Sequence, residues 1–344
     1  MSVFHHLVPP VRWGIIGCGD VCEVKSGPAF YKTDGSSLVA VMRRDAAKAE
    51  DFARRHGVAC WHTDAQQLID NPEVDAVYVA TPPSTHAAYA VRVMRAGKPV
   101  YVEKPMATSY AECLEMNRVA EQTGMPLLVA YYRRSLPYFL WVKKLLDSRC
   151  IGTPHLVRVD FRAAASGRDK DDKHLPWRVQ PHISGGGYFY DMACHTLDIL
   201  DFLLGEISEV HGFTANCAGL YDAEDTVTAC FRFSSGVIGS GEWLYASPEN
   251  EQPHDYVEIK GSKGIISFST FSFAPVLLHK DTAKTCEEWN FSRPEHIQQP
   301  MIKDITAFLC GKGTPSSDGI SAARTNRVMD TILGKLPPPS PVHE

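Results

Sequence analysis

Three short segments of this chain carry residue types suited to moving a hydride together with a proton. The first is a glycine-rich turn, Gly17-Cys18-Gly19-Asp20-Val21, directly after an apolar run. The second is Val102-Glu103-Lys104-Pro105, and the third is Asp191-Met192-Ala193-Cys194-His195, preceded by Gly185-Gly186-Gly187. Oxidising a secondary alcohol removes the hydroxyl proton while hydride leaves the same carbon, and reduction runs that path backward. Donors beside the oxygen lower the cost of the alkoxide. Open α/β sheets bind ligands at the carboxyl ends of their strands, so Lys104 suits a hydrogen-bond donor and proton carrier there. Asp191 and His195 are spaced to share one face of an α-helix. Histidine titrates near neutrality and suits a relay to a substrate oxygen, with Asp191 binding a neighbouring hydroxyl or orienting the relay. No metal is expected on this pair. The reading requires Lys104 and His195 to converge on one reacting carbon.

Gly17-x-Gly19-x-x-Cys22 is an incomplete dinucleotide fingerprint, with Cys22 where a third Gly or Ala is usual. The first glycine permits the tight turn and the second lets the backbone approach a pyrophosphate at a helix start. The third position only packs helix on strand, and cysteine is small enough. The second strand ends Val41-Met42-Arg43-Arg44, without the Asp or Glu that binds ribose hydroxyls in NAD enzymes. Two guanidiniums suit a 2′-phosphate, so NADP is the preferred cofactor and NAD the alternative. The plainer reading of Arg43 and Arg44 is a basic helix start capped by Asp45.

These segments need elements to hold them. From Val11 to Ala130, short apolar runs alternate with helical segments bounded by Asp45, by a Ser109/Glu112 capping box, and by Gly57, Gly97 and Gly124. The strands are expected at 11–16, 38–42, 58–61, 75–80, 99–102 and 127–130, with one helix after the glycine turn. This pattern predicts a parallel sheet covered on both faces, a doubly wound nucleotide-binding domain over 11–132. Beyond it, alternating runs joined by Ser234-Ser235-Gly236 and Gly261-Ser262-Lys263-Gly264 predict an α+β domain over 133–336 with an open, mainly antiparallel sheet. Segment 167–174 reads as a mobile polar loop near a site mouth, residues 1–10 as a loose leader, and the tail from Pro337 as disordered.

At 344 residues the chain is long enough for two cores. A net charge of -5 offers no basic field for nucleic acid. No apolar run approaches the roughly 20 residues that span a bilayer, and the first residues lack the pattern of a signal peptide. Ten scattered cysteines without a C-x-x-C pair read as reduced, buried thiols of a cytoplasmic protein.

Gly17-Cys18-Gly19-Asp20, the run from Ala80 to His86, the run from Gly97 to Pro105, and the segment Gly185 to His195 together resemble the glucose-fructose oxidoreductase/inositol dehydrogenase/rhizopine-catabolism (Gfo/Idh/MocA) family. The likeness runs from about Val11 to the last helix. It implies a Rossmann domain followed by an open-sheet domain, homodimers or homotetramers formed through that sheet, and NAD(P)-linked oxidation or reduction of sugars, polyols or keto-sugars. By this resemblance Lys104 is the catalytic lysine, Glu103 contacts the cofactor ribose, and the peptide before Pro105 is cis. The resemblance also implies that Thr81, Pro82 and His86 lie at the nicotinamide half of the cofactor, and that Trp177-Arg178 reaches back to it. Thr85 is a candidate helix cap. A non-catalytic cofactor sensor and a dihydrodiol- or biliverdin-reductase-like enzyme are the competing readings.

Overall fold

The computed structural model describes residues 4–171, 173–248, 250–280 and 286–336; the tail from Pro337 lies outside the described residues. The chain forms two compact units. The first is the chain up to Leu136 plus Pro294–Ala323, and the second is Pro137–Arg293 plus the chain from Arg324 on. A second domain running unbroken over 133–336 is thus corrected, because segment 294–323 returns to the first unit. The reason is apolar burial. Met301, Ile302, Ile305 and Leu309 of the helix Gln299–Leu309 join one core with Val11, Trp13 and Ile15.

The first unit is a parallel sheet of β1 (Val11–Ile16), β2 (Ser36–Met42), β3 (Cys60–His62), β4 (Ala76–Val79), β5 (Val100–Val102) and β6 (Leu127–Val129), in the order β3-β2-β1-β4-β5-β6. This is the doubly wound sheet that the apolar runs predict. Alternate residues of β1, β4 and β5 face one side, where Trp13, Phe30, Tyr78 and Tyr101 pack ring to ring at 5.0–5.3 Å for successive neighbours along Trp13–Phe30–Tyr78–Tyr101. The helix Ala46–His56 is capped by Asp45 accepting from the Lys48 amide and closed by left-handed Gly57. The Val58 amide is taken by Ala53 O in that closure, so β3 starts at Cys60, later than expected. Instead of one helix after the glycine turn there are two, Asp20–Val24 and Gly27–Lys32, broken at Ser26 with a proline in the second helix's first turn. Ser109 caps the helix Tyr110–Thr123, but Glu112 bonds the amide and hydroxyl of Thr108 instead of closing a capping box. The expected loose leader is docked, with Leu7 N–H on Leu309 O and Phe4 and Leu7 against the core.

The second unit carries β7 (Pro154–Ala164), β8 (Ile207–Ala215), β9 (Thr226–Phe233), β10 (Ile238–Ser247), β11 (His254–Gly261), β12 (Gly264–Phe268), β13 (Val276–Lys280) and β14 (Cys286–Trp289), in the order β14-β13-β12-β11-β7-β10-β9-β8. Every neighbouring pair is antiparallel except β7 with β10. On one face, Trp243 of β10 meets Phe189 edge-on at 5.4 Å, and the helix Cys194–Leu204 that follows Phe189 is nearly all buried. The other face shows charged and polar side chains in rows, such as Thr228–Glu242–Asp160–Tyr256 across β9, β10, β7 and β11. Asp169 anchors the polar segment 167–174. It is buried, closes a capping box with Ser166, and accepts from the Tyr188 hydroxyl at 2.8 Å. Asp201 is buried and held bidentately by Arg324 at 2.6 and 2.8 Å. All ten cysteines are free, but only Cys18, Cys22, Cys113 and Cys194 are buried, while Cys60, Cys150 and Cys310 are half-buried and Cys217, Cys230 and Cys286 exposed. Cys230 sits on the outward side of β9, which the apolar character of its segment hid.

Candidate active site

In the first unit, Gly17 has φ +91°, and a Cβ there would lie 2.7 Å from Thr81 Cγ2 and 3.0 Å from Thr81 N. The close approach of the β1 and β4 strand ends therefore demands glycine. Gly19 differs. Its φ of -103° suits any residue, and the nearest atom to an added Cβ is Gly17 O at 3.9 Å. Open space lies against its backbone, where a pyrophosphate would approach. The helix starting at Asp20 follows Gly19, which has no side chain to cap its first amides. Cys18 is buried with Sγ 3.6 Å from Met42 O, and burial raises its thiol to about 11. Cys22 is fully buried and packs as the third fingerprint position should. Arg43 donates from Nη1 to Cys18 O at 3.2 Å, which sets its guanidinium over the glycine turn, and Arg44 beside it is exposed. These residues fit a dinucleotide.

At the end of β4, Thr81 Oγ1 lies 2.7 Å from Thr85 Oγ1, and Pro82 is exposed. Thr85 does not cap the following helix. His86 lies inside the unit. It is fully buried, with Nδ1 3.0 Å from Pro105 O and Nε2 2.7 Å from Thr81 O, so both ring nitrogens face backbone carbonyls. It braces the Thr81 loop against the Lys104 loop. Burial pushes this imidazole down, and the two carbonyls pull it back up.

Glu103 is 5% exposed. Its Oε1 accepts from the Tyr78 hydroxyl and from Gln298 Nε2, both at 2.5 Å, and its Oε2 accepts from the Lys104 amide at 3.1 Å. The carboxylate expected to face a ribose is satisfied from inside the unit. Lys104 itself is partly exposed at the carboxyl end of β5, and the Lys104–Pro105 peptide is cis, as the resemblance implies. Its neighbours Glu103, Pro105 and Met106 are buried, so the lysine projects from a fixed base.

In the second unit, Asp191 lies in a π-helix, Phe189–Ala193, that passes into the α-helix Cys194–Leu204 carrying His195. The pair thus spans a π-to-α junction rather than one regular α-helical face. Wide turns of this kind cluster at functional sites. Gly187 is required by protein packing, with φ +63° and an added Cβ 2.4 Å from Ala223 Cβ, whereas at Gly186 an added Cβ would press on Tyr190 Cδ2 at 2.9 Å and on the end of the Leu333 side chain. Arg178 stacks over Trp177 with its guanidinium carbon 4.5 Å from the ring centroid and donates from Nε to Asp191 Oδ2 at 3.0 Å. Within this unit, Arg178 serves Asp191, a partnership the sequence reading missed because the two residues share no periodic spacing. His195 is 4% exposed, with Phe271 edge-on at 5.9 Å. Phe271 is fixed in turn by Asp255, whose carboxylate accepts the amides of Thr270, Phe271 and Ser272 at 2.6–2.9 Å. Neither Phe271 nor Asp255 carried a sequence signal.

Known proteins share this architecture. Two family models match, the oxidoreductase family with an NAD-binding Rossmann fold over residues 11–131 and the GFO/IDH/MocA C-terminal domain over 139–267. Oxidoreductase P35 of Formosa agariphila is 41% identical over 325 residues, covering 94% of this chain and 98% of that protein. The scyllo-inositol 2-dehydrogenase (NAD(+)) of Bacillus subtilis is 30% identical over 266 residues, covering 76% and 74%. Levoglucosan dehydrogenase, solved with NADH and levoglucosan, superposes with a TM-score of 0.82 at 22% identity over 94% of this chain and 96% of its own, a likeness of fold. The glycine turn, the cis Lys104–Pro105 segment and both matched domains lead to one conclusion: the chain belongs to the Gfo/Idh/MocA family of NAD(P)-dependent oxidoreductases.

Proposed function

We propose that the protein interconverts a secondary alcohol and a ketone on a sugar, polyol or keto-sugar, with Lys104 and His195 handling the proton and Asp191 binding the substrate beside them. The observation that carries this reading is Lys104, the partly exposed cation rising from a buried base at the carboxyl end of β5. The glycine turn and the Thr81 loop would hold a nicotinamide dinucleotide, which would supply or take up the hydride. Lys104 donates a hydrogen bond to the substrate oxygen and stabilises its negative charge as the proton leaves. His195 takes that proton in oxidation and returns it in reduction. Asp191, aimed by Arg178, holds a neighbouring hydroxyl. The relatives' substrates support the choice of class, since those named include an inositol and 1,5-anhydro-D-fructose.

Gly17, Cys18, Gly19, Asp20 and Val21 would hold the pyrophosphate, while Thr81, Pro82 and Lys104 would line the nicotinamide side. Arg43 and Arg44 favour NADP over NAD. Glu103 and His86 act by bracing the Lys104 loop. We assign Trp177 to packing beneath Arg178. The outward face of the second sheet, with Phe213 82%, Ile238 48% and Leu156 37% exposed, supports a homo-oligomer formed there. The free cysteines suit the reducing cytoplasm, and no helix of the described residues is long and apolar enough to cross a membrane.

The test is turnover of NADPH and NADH against a panel of aldoses, ketoses and polyols, read by nicotinamide absorbance. Lys104→Ala and His195→Ala should each abolish turnover while cofactor still binds; undiminished turnover in Lys104→Ala would refute the assignment. Sedimentation of Phe213→Glu should show smaller particles than wild type.

A further inference from the structure

The segment that returns to the first unit brings in a fully buried glutamine. Gln298 occupies the position before the helix Gln299–Leu309, where Ser, Thr, Asp or Asn would cap the free amides, yet its side chain makes no cap bond. The side chain is directed inward instead. Nε2 donates to Glu103 Oε1 at 2.5 Å, and Oε1 accepts from the Tyr101 hydroxyl at 3.0 Å. Because a carboxylate only accepts and Tyr101 donates here, the amide has one workable orientation. The backbone around it is pinned as well. Gln298 N–H donates to Lys25 O at 3.2 Å. His296 Nδ1 lies 2.7 Å from Val24 O, while its Nε2 lies 2.7 Å from Lys32 Nζ.

Glu103 passes this constraint on, since its other oxygen accepts the backbone amide of Lys104. A buried carboxylate with only part of its donors would turn toward water or toward the nearest cation, and the Lys104 backbone would turn with it. We propose that Gln298 is a positioning residue for Lys104, acting through Glu103. The proposal rests on the reading of Lys104 as the proton-handling lysine. It gives the returning segment a part in the chemistry beyond covering the sheet.

The experiment compares Gln298→Met and Gln298→Glu with wild type. Met keeps the volume and removes the donor. Glu restores a donor only while it is protonated, a state the facing Glu103 carboxylate favours. Lysines are reductively methylated with carbon-13, and the Lys104 resonance is assigned by its loss in Lys104→Arg. We expect the Lys104 signal of Gln298→Met to shift and broaden, with NADPH affinity within about threefold of wild type. Misplacement of a reacting group by an ångström suggests a fall in kcat of about tenfold to a hundredfold, with KM little changed. Turnover of Gln298→Glu should rise toward wild type as pH falls, whereas Gln298→Met stays low throughout. A wild-type Lys104 resonance in Gln298→Met, or the same pH profile for both variants, overturns the proposal. If Gln298→Met does not fold, Gln298→Glu followed across pH decides by the same resonance. Full turnover in Lys104→Ala would instead remove the underlying assignment, and the resonance would still report whether Gln298 places the lysine.

Discussion

Alanine at Gly17 and alanine at Gly19 should break different things, although the two positions are separated by one residue. At Gly17 the new Cβ meets Thr81 Cγ2 at 2.7 Å and Thr81 N at 3.0 Å, on a backbone with φ +91°. A left-handed conformation costs a non-glycine residue about 1–2 kcal/mol, and overpacking against a backbone atom about 1–3 kcal/mol more. Gly17→Ala should therefore lose about 2–5 kcal/mol, a fall of order 10 °C in the melting of the first unit. At Gly19 the nearest atom is 3.9 Å away and φ is ordinary, so stability without cofactor should change by less than about 0.5 kcal/mol. The methyl instead enters the space available to a pyrophosphate. If accommodating it costs about 1–3 kcal/mol, the NADPH Kd rises about fivefold to 150-fold. Thermal unfolding of the free protein and NADPH titration by nicotinamide fluorescence separate the two effects. Gly19→Ala binding NADPH as wild type does would refute the placement of the cofactor against this turn.

Three further outcomes follow from the geometry. Arg44→Ala and Arg43→Ala should lower kcat/KM for NADPH by about tenfold to a hundredfold and leave NADH nearly unchanged, since each removes a charged donor to a 2′-phosphate; equal losses with both cofactors would count against NADP preference. Arg324→Met strips the guanidinium from buried Asp201 and should cost about 3–5 kcal/mol in urea unfolding, with Asp201→Asn added to it recovering a good part. Arg55 and His56 hold the Glu23 carboxyl down at about 2, from an ordinary 4.5. Because the folded value is the lower one, the stabilisation is complete above the unfolded value and disappears as pH falls from there toward 2. Glu23 is about a third exposed, so solvent screening reduces the effect to about 1–2 kcal/mol. Glu23→Gln should lose that much less than wild type across this window, and parallel stability curves would contradict the assignment.

The nucleotide-binding sheet was legible because most of its strands are continuous apolar runs, some of them preceded by a glycine that ends a helix, such as Gly57 or Gly124. The polar outer edges of the second sheet were not. β8 carries its outward Glu209, His211 and Phe213 past a register break, and β14 is a four-residue exposed strand, so neither shows a clean alternation. Residue types at the site were readable, but their directions were not. The ring nitrogens of His86 face the carbonyls of Thr81 and Pro105, groups every residue possesses, and no side-chain pattern could announce them. The partner of Glu103 was hidden for another reason. Gln298 lies almost two hundred positions away along the chain, and its helix has the same amphipathic appearance whichever sheet it covers.

That late helix has a consequence for biosynthesis. A ribosome releases β1 to β6 long before it reaches Leu309, so the aromatic layer of Trp13, Tyr78 and Tyr101 must wait through the whole of the second sheet for its cover. An excised piece ending at Leu136 would leave that greasy layer wet and should aggregate. A rearranged gene that splices 294–323 directly behind residue 136 should give a dispersed, dinucleotide-binding miniature.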